Sequence, residues 1–316
     1  MAFDRHKRPH LETIDQRDPF AAHRTGFNGH PPFEVLAPAE QRLPYVFNSP
    51  HSGCQYPSSF LESSRLDGRA IRRSEDAFVD HLFSHVVPLG APMLRAHFPR
   101  AYLDVNREPY ELDPKMFEDR LPPYANVRSI RVAGGLGTVA RVVSESHEIY
   151  KHRLPVSEAM YRIEEIYKPY HTTLRRMLAQ THVTFGYAIL IDCHSMPSSI
   201  RCQSTDIRPD FILGDRYGTS CSQELTNYAA SILIGMGYTV NRNKPYAGGF
   251  ITEHYGRPSR GLHALQVEMN RGLYMDEATH QPHAGFLELK NNLEAFAREL
   301  TSMPDSSFGA EPIAAE

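Results

Sequence analysis

The sequence predicts an α/β protein, three α/β/α layers around a mixed, mostly parallel sheet, and three observations point there. Short β-prone runs alternate along the chain with longer stretches of helical period, the pattern of a parallel sheet covered by helices. Tyr187–Ile191 is apolar at every position, as in a strand buried on both faces. His51, Asn106-Arg107, His194 and Glu268 each fall at or just past the carboxyl end of a predicted strand, where such sheets place their ligands.

Residues 1–40 mix Pro, Gly and charge without a sustained period and are expected to form an irregular leader. Pro44–Asn48 is a short strand running into Ser-Pro and His-Ser-Gly. Between 71 and 87, Ile71, Phe78, Val79, Leu82, Phe83 and Val86 recur at helical spacing, which predicts an amphipathic helix with Asp76 in or near its first turn. Strands at 92–97 and 101–105 follow, and then a Pro- and Gly-rich excursion at 108–137, a length of loop that is often functional. Residues 157–180 form a helix that Pro169 should kink or split. After the strand at 187–191 the alternation continues: strand 210–213, helix 220–234, strands 238–241 and 264–269, helix 287–300. Residues 41–300 then make a single catalytic domain, and 301–316 a disordered tail.

With 316 residues, 41% of them hydrophobic, the chain can bury a sizeable core. Its net charge of -3 and its scattered Lys and Arg residues give no basic face for nucleic acid. There is no apolar run long enough to span a membrane and no apolar signal segment in the polar stretch 1–24, so no membrane association and a cytoplasmic location are expected. Cys54, Cys193, Cys202 and Cys221 show no Cys-x-x-Cys spacing and read as free thiols. Of 17 histidines, His6, His10, His23 and His30 belong to the leader; those at strand ends carry the interest.

Four islands hold the chemistry: Pro50-His-Ser-Gly53, Asp104-Val-Asn-Arg107, Ile191-Asp-Cys-His-Ser-Met196 and Gln266-Val-Glu-Met-Asn-Arg271. A catalytic zinc commonly takes two imidazoles and a carboxylate and keeps one position for water, and His51 and His194 are the imidazole candidates. Glu268, among Leu265, Val267 and Met269, is the candidate general base and acid, its pKa raised if it is buried; pairing with Arg271 is the structural alternative. Asn106-Arg107 suits a substrate carboxylate, since a guanidinium fork binds both oxygens; an ion pair with Glu108 or Glu111 is the alternative. Ser195 lacks the glycines of a nucleophile elbow, and Gly134-Gly135-x-Gly137 lacks the Lys-Ser/Thr of a phosphate loop.

The order of His51, Asn106-Arg107, Asp192-x-His194 and Glu268 is that of the zinc carboxypeptidase-like hydrolases, including deacylases of acylated aspartate and glutamate. More specifically, Ser49-Pro-His-Ser-Gly53 with Tyr56-Pro57, Glu75-Asp76 with Val79-Asp80, Leu103–Arg107, Tyr167-Lys-Pro-Tyr-His171, Asp192–Met196, Ala247–Pro258 and Gln266–Met269 with Tyr274-Met-Asp-Glu277 resemble the N-formylglutamate amidohydrolase family. The resemblance runs from about Pro44 to Phe296 and implies a zinc-exopeptidase-like (phosphorylase/hydrolase-like) fold and one catalytic Zn2+. It also implies hydrolysis of N-formyl-L-glutamate to L-glutamate and formate, the last step of one histidine-degradation route. Carboxypeptidases place a ligating Glu three residues after the first His, where this chain has Cys54. The formylglutamate enzymes point instead to Asp76 as the carboxylate ligand beside His51 and His194, with Glu75 and Cys54 as rivals. A substrate with two carboxylates calls for a second cation, Arg257 first and Arg141 second. The other readings are a deacylase of a different N-acylated amino acid and a non-catalytic small-molecule binding protein. Metal identity and oligomeric state are not readable from the sequence.

Overall fold

The computed structural model describes residues 31–143, 147–201 and 208–304, together with Phe27 and Phe308. Cys202, the leader histidines and most of the tail lie outside the described residues. Seven strands form the main sheet: β1 (Phe33–Leu36), β2 (Tyr45–Ser49), β3 (Met93–Ala96), β4 (Ala188–Met196), β5 (Phe211–Gly214), β6 (Val240–Arg242) and β7 (Leu262–Asn270). Their spatial order is β1-β3-β2-β4-β7-β5-β6. The β3-β2, β2-β4, β4-β7 and β5-β6 pairs are parallel; β1-β3 and β5-β7 are antiparallel. The sheet is therefore mixed and mostly parallel, as the alternation implied, with helices packed on it.

Successive side chains of a strand point to opposite faces, and the core divides accordingly. Val46, Leu94, Leu190 and Ala264 pack with Ala159, Ile163, Tyr170 and Leu174, whereas Phe47, Ile189, Ile191 and Val267 pack with Leu225, Leu233, Leu293 and Phe296. The first group draws on α5 (Val156–Arg162) and α6 (Lys168–Phe185), the second on α7 (Gln223–Gly235) and α9 (Gly285–Leu300). Five short helices complete the set among the described residues: α1 (Ser58–Ser63), α2 (Val79–Leu82), α3 (Val86–Leu89), α4 (Ile130–Ala133) and α8 (Phe250–Tyr255). Among the described residues no helix is long and apolar enough to cross a membrane.

The structure departs from the sequence reading in four places. Residues 33–36, expected to be irregular, form the edge strand β1 against β3. The helix expected over 71–87 is broken into a 3₁₀ turn (Ala70–Ser74), α2 and α3. The Asp76 N–H donates to the His51 carbonyl at 3.0 Å and Phe78 is left-handed, so the chain leaves the helical path between Ser74 and Val79. Residues 101–105 are buried but form turns, with the Tyr102 and Leu103 N–H groups both donating to Pro99. Pro169 does not split its helix in two: α5 continues through a π turn (Ile163–Tyr167) into α6, and the π turn re-spaces the backbone bonds where proline has no N–H.

Candidate active site

The site is built where one face of the central strands turns from apolar to polar. Val46, Leu190 and Ala264 give way, two residues on, to Asn48, Asp192 and Gln266, which stand side by side in the register of β2, β4 and β7. The next row pairs His194 with Glu268. His51 lies two residues beyond β2, where a Cβ on Gly53 would come within 2.2 Å of the Phe98 carbonyl oxygen, so only glycine permits that path.

His51, Asp76 and His194 are all buried, and their ligand atoms lie within 4.8 Å of one another. Asp76 Oδ2 is 2.9 Å from His194 Nδ1 and 3.4 Å from His51 Nδ1. The far nitrogens are held by carboxylates, His51 Nε2 by Asp104 Oδ1 at 2.8 Å and His194 Nε2 by Asp192 Oδ2 at 3.0 Å. His51 Nδ1 is buried without a hydrogen-bond partner. An orphaned imidazole nitrogen beside a buried carboxylate and a second imidazole fits a metal cation, and carboxylates behind metal-bound histidines fix which nitrogen faces the metal. The rival ligands are placed elsewhere. Glu75 is bonded to the Tyr56 hydroxyl at 2.6 Å and to Arg72, while Cys54 is exposed and lines a cavity with Glu34, Asp80 and His97.

The electrostatics follow from burial set against these pairings. Burial alone would raise the Asp76 pKa, but the two imidazoles hold it well below the carboxylate range. Burial likewise lowers that of His194, and Asp192 and Asp76 overcome this to raise it well above the ordinary value. Glu268 is pushed up to about 7, chiefly by burial with help from Asp76 and against His194, Arg100 and Arg271. Its Oε1 accepts from Gln266 Nε2 at 2.9 Å. Arg271 instead donates to Asp76 Oδ1 at 2.9 Å and to the Ser195 hydroxyl, so Glu268 is not consumed by the Arg271 pairing that the sequence left open.

Asn106 abuts the group, its Nδ2 lying 3.3 Å from His194 Nε2 and its Oδ1 accepting from the Ile251 N–H at 2.8 Å. A Cβ on Gly249 would come within 2.4 Å of the Asn106 amide, which explains glycine at that contact. Arg107 donates to the Leu136 and Asn106 carbonyls, and desolvation lowers its pKa to about 10. Arg107 and Arg257 line one cavity of about 440 Å³ together with Arg131, Arg216 and His254. Arg141 is elsewhere, donating to Asp113 at 2.7 Å and to Glu148 at 3.3 Å.

A family model described as N-formylglutamate amidohydrolase matches residues 43–275. The chain belongs to the N-formylglutamate amidohydrolase family. It is similar to the N-formylglutamate deformylase of Pseudomonas putida, 31% identical over 77% of this chain and 86% of that one. The N-formylglutamate deformylase of Pseudomonas aeruginosa is 30% identical over 84% of this chain and 94% of its own length. In three dimensions the chain is similar to the crystal structure of N-formylglutamate amidohydrolase from Ralstonia eutropha JMP134, with a TM-score of 0.81, 34% identity, and 86% and 97% of the two chains covered. A gene product of Agrobacterium tumefaciens shares the fold at a TM-score of 0.58 and 16% identity, over 85% of this chain and 94% of that one.

For this amidohydrolase-family chain, sequence reasoning overlooked three residues around the His51, Asp76 and His194 group. Asp104 and Asp192 stood in the quoted islands without a role, although a carboxylate beside a metal-ligand histidine is a standard partner. Arg100 donates to Asp104 Oδ2 at 2.9 Å, and its charge acts on both Asp76 and Glu268. The only local signal for it is the four-residue spacing to Asp104.

Proposed function

We propose that this chain hydrolyses N-formyl-L-glutamate to formate and L-glutamate with one catalytic zinc ion held by His51, Asp76 and His194. The observation that carries the proposal is the buried His-Asp-His group next to Glu268 on the adjacent strand, in a chain whose relatives are N-formylglutamate deformylases. We read residues 41–300 as one catalytic domain and its two helix-backed cores as the α/β/α layering of the zinc exopeptidases. The reaction would close one route of histidine degradation in the cytoplasm, on a small carboxylate substrate, without nucleic acid or membrane.

When bound, the zinc ion polarises a carbonyl and lowers the pKa of a coordinated water to roughly 7. The chain's own residues supply the rest. Glu268 takes a proton as the water oxygen attacks the formyl carbon. It then delivers that proton to the amide nitrogen as the C–N bond breaks, so that the amine leaves neutral and formate is released. A carboxyl group pushed up to about 7 is matched to both halves of this transfer at neutral pH. Asn106, Arg107 and Arg257 orient the substrate carboxylates, the two arginines from one cavity wall, and guanidinium forks favour that planar partner.

The test is formate release from N-formyl-L-glutamate by the purified protein, before and after chelation and after zinc is restored, with N-acetyl- and N-succinyl-glutamate alongside. Chelator-sensitive release restored by zinc is expected. Turnover of only the bulkier acyl groups would move the substrate, and turnover of none would sink the proposal.

A further inference from the structure

The Tyr167-Lys-Pro-Tyr-His171 segment, singled out in the sequence, has no part in the chemistry above, yet three of its side chains reach under the site. The Tyr167 hydroxyl donates to the Arg107 carbonyl at 2.6 Å and His171 Nε2 to the Val105 carbonyl at 2.9 Å, fixing the loop that carries Asn106-Arg107. Tyr170 does something different. Its hydroxyl donates to Asn48 Oδ1 at 2.5 Å, Asn48 Nδ2 donates to Asp192 Oδ1 at 2.7 Å, and Asp192 Oδ2 lies 3.0 Å from His194 Nε2. All four side chains are buried.

The directions along this chain follow from its acceptors. An ionised Asp192 offers only acceptors, so the Asn48 NH₂ must face it and the Asn48 oxygen must face Tyr170. That oxygen accepts, so the Tyr170 hydroxyl donates. With one Asp192 oxygen taken by Asn48, the other faces His194 Nε2 at 3.0 Å; a carboxylate oxygen at that distance outcompetes the Asn106 amide nitrogen at 3.3 Å as the partner of Nε2, which therefore keeps its proton. Nδ1 is left as the nitrogen whose lone pair can bind a cation, and Nδ1 is the atom facing Asp76.

We propose that Tyr170 is a positioning residue for metal binding: through Asn48 and Asp192 it fixes the proton on His194 Nε2 and presents Nδ1 to the ion. The inference rests on His194 being a metal ligand. Without the Tyr170 hydroxyl, Asn48 is free to turn its amide, the Asp192 carboxylate loses its fixed donor, and His194 loses the acceptor that orients it. Removing an outer partner of this kind typically weakens metal affinity by roughly 10–100-fold.

The experiment compares Tyr170→Phe with Tyr45→Phe, which removes another buried hydroxyl, bonded to the Leu300 carbonyl at 3.0 Å at the apolar end of β2, without touching the relay. Zinc affinity is measured by competition with a chromophoric chelator, and the His194 Nε2–H proton is followed by NMR in the metal-free protein. Tyr170→Phe should weaken zinc by roughly 10–100-fold and move the Nε2–H resonance upfield with faster solvent exchange. Tyr45→Phe should leave both unchanged. Should Tyr170→Phe fail to fold, Asn48→Leu breaks the same relay and is read in the same way. An unshifted His194 proton with wild-type zinc affinity overturns the proposal. If the wild-type chain binds no zinc, the metal reading under the proposed function fails, while the NMR comparison still decides whether Tyr170 holds the His194 proton.

Discussion

The two ends of β4 and β7 are equally buried and opposite in purpose. Near the start of the strands Leu190 and Ala264 face the helices, and two to four residues further along the same face Asp192, His194, Gln266 and Glu268 stand in their place. Burial of the apolar end stabilises the fold by roughly 25 cal/mol per Å². Burial of charge at the other end opposes folding unless each group is paired, and here each far histidine nitrogen, each aspartate and Glu268 has a partner. Stability and chemistry are thus separated along a single strand, so variants at the two ends should fail in different ways.

The largest effect is expected at the polar end. Glu268→Gln should lower kcat by roughly 10²–10⁴-fold, with zinc content unchanged. The folded-state pKa of Glu268, about 7, lies above the ordinary glutamate value of 4.5. The fold therefore favours the protonated form, and this contribution to stability, complete below pH 4.5, is lost as pH rises through about 7. The Gln variant, which never ionises, should accordingly unfold at a higher temperature than the wild type above pH 7, and the two should converge in acid. Glu268 acts as a base, so wild-type kcat/KM should fall as pH drops, along a limb at or below pH 7 that a bound cation moves downwards. Retention of that limb in the residual activity of Glu268→Gln would assign it to another group.

Leu190→Ala, on the same face two residues before Asp192, should do the reverse. A buried Leu→Ala change removes about 2–5 kcal/mol of stability, while kcat per folded molecule and zinc content stay at wild-type values. Denaturant unfolding and active-site titration measure the two separately. A fall in kcat without a fall in stability would show that the strand transmits packing into the site and that the separation does not hold.

This division also explains what the sequence could reveal. The strands under the site were legible because Tyr187–Ile191 is continuously apolar, and Asp192, His194 and Glu268 stood out as polar residues at the end of such runs. The path around Asp76 was not legible. The apolar positions from Ile71 to Val86 keep helical spacing whether they sit on one helix or on several short ones, and a backbone bond from Asp76 to His51, distant in sequence, decides between the two. Residues 101–105 misled for a related reason: they are apolar because they are buried, and burial does not require a strand partner. Tyr170 stood in a quoted motif, but its link to Asn48 and Asp192 carries no local signal, since the relay is assembled from three elements.

The arginines extend the comparison beyond the sheet. Arg257 shares the cavity of Arg107, whereas its nitrogen contacts are carbonyls of Glu253 and Gly256. Arg257→Ala should raise KM for N-formylglutamate by roughly tenfold or more, the loss of one charge-assisted hydrogen bond of about 1.5–3 kcal/mol, with kcat much less affected. An unchanged KM would remove Arg257 from the carboxylate-binding wall.

The smallest effect is expected at Arg141. It was the second choice for the same role, and its side chain is spent on Asp113 and Glu148, in a cavity of about 160 Å³ whose lining includes Arg65, Lys115 and Lys151 and none of His51, Asp76 and His194. Asp113 would keep the Lys115 N–H as a donor if the guanidinium were removed, and Glu148 is exposed. Arg141→Ala should therefore lower stability by about 1 kcal/mol, within the range of partly exposed ion pairs, and leave KM and kcat at wild-type values. Both arginines stand on loops around one sheet and carry the same charge. A KM that rose in Arg141→Ala as it does in Arg257→Ala would mean that the 135–149 segment reaches the substrate, and that position relative to the strands' polar ends does not decide which cations bind it.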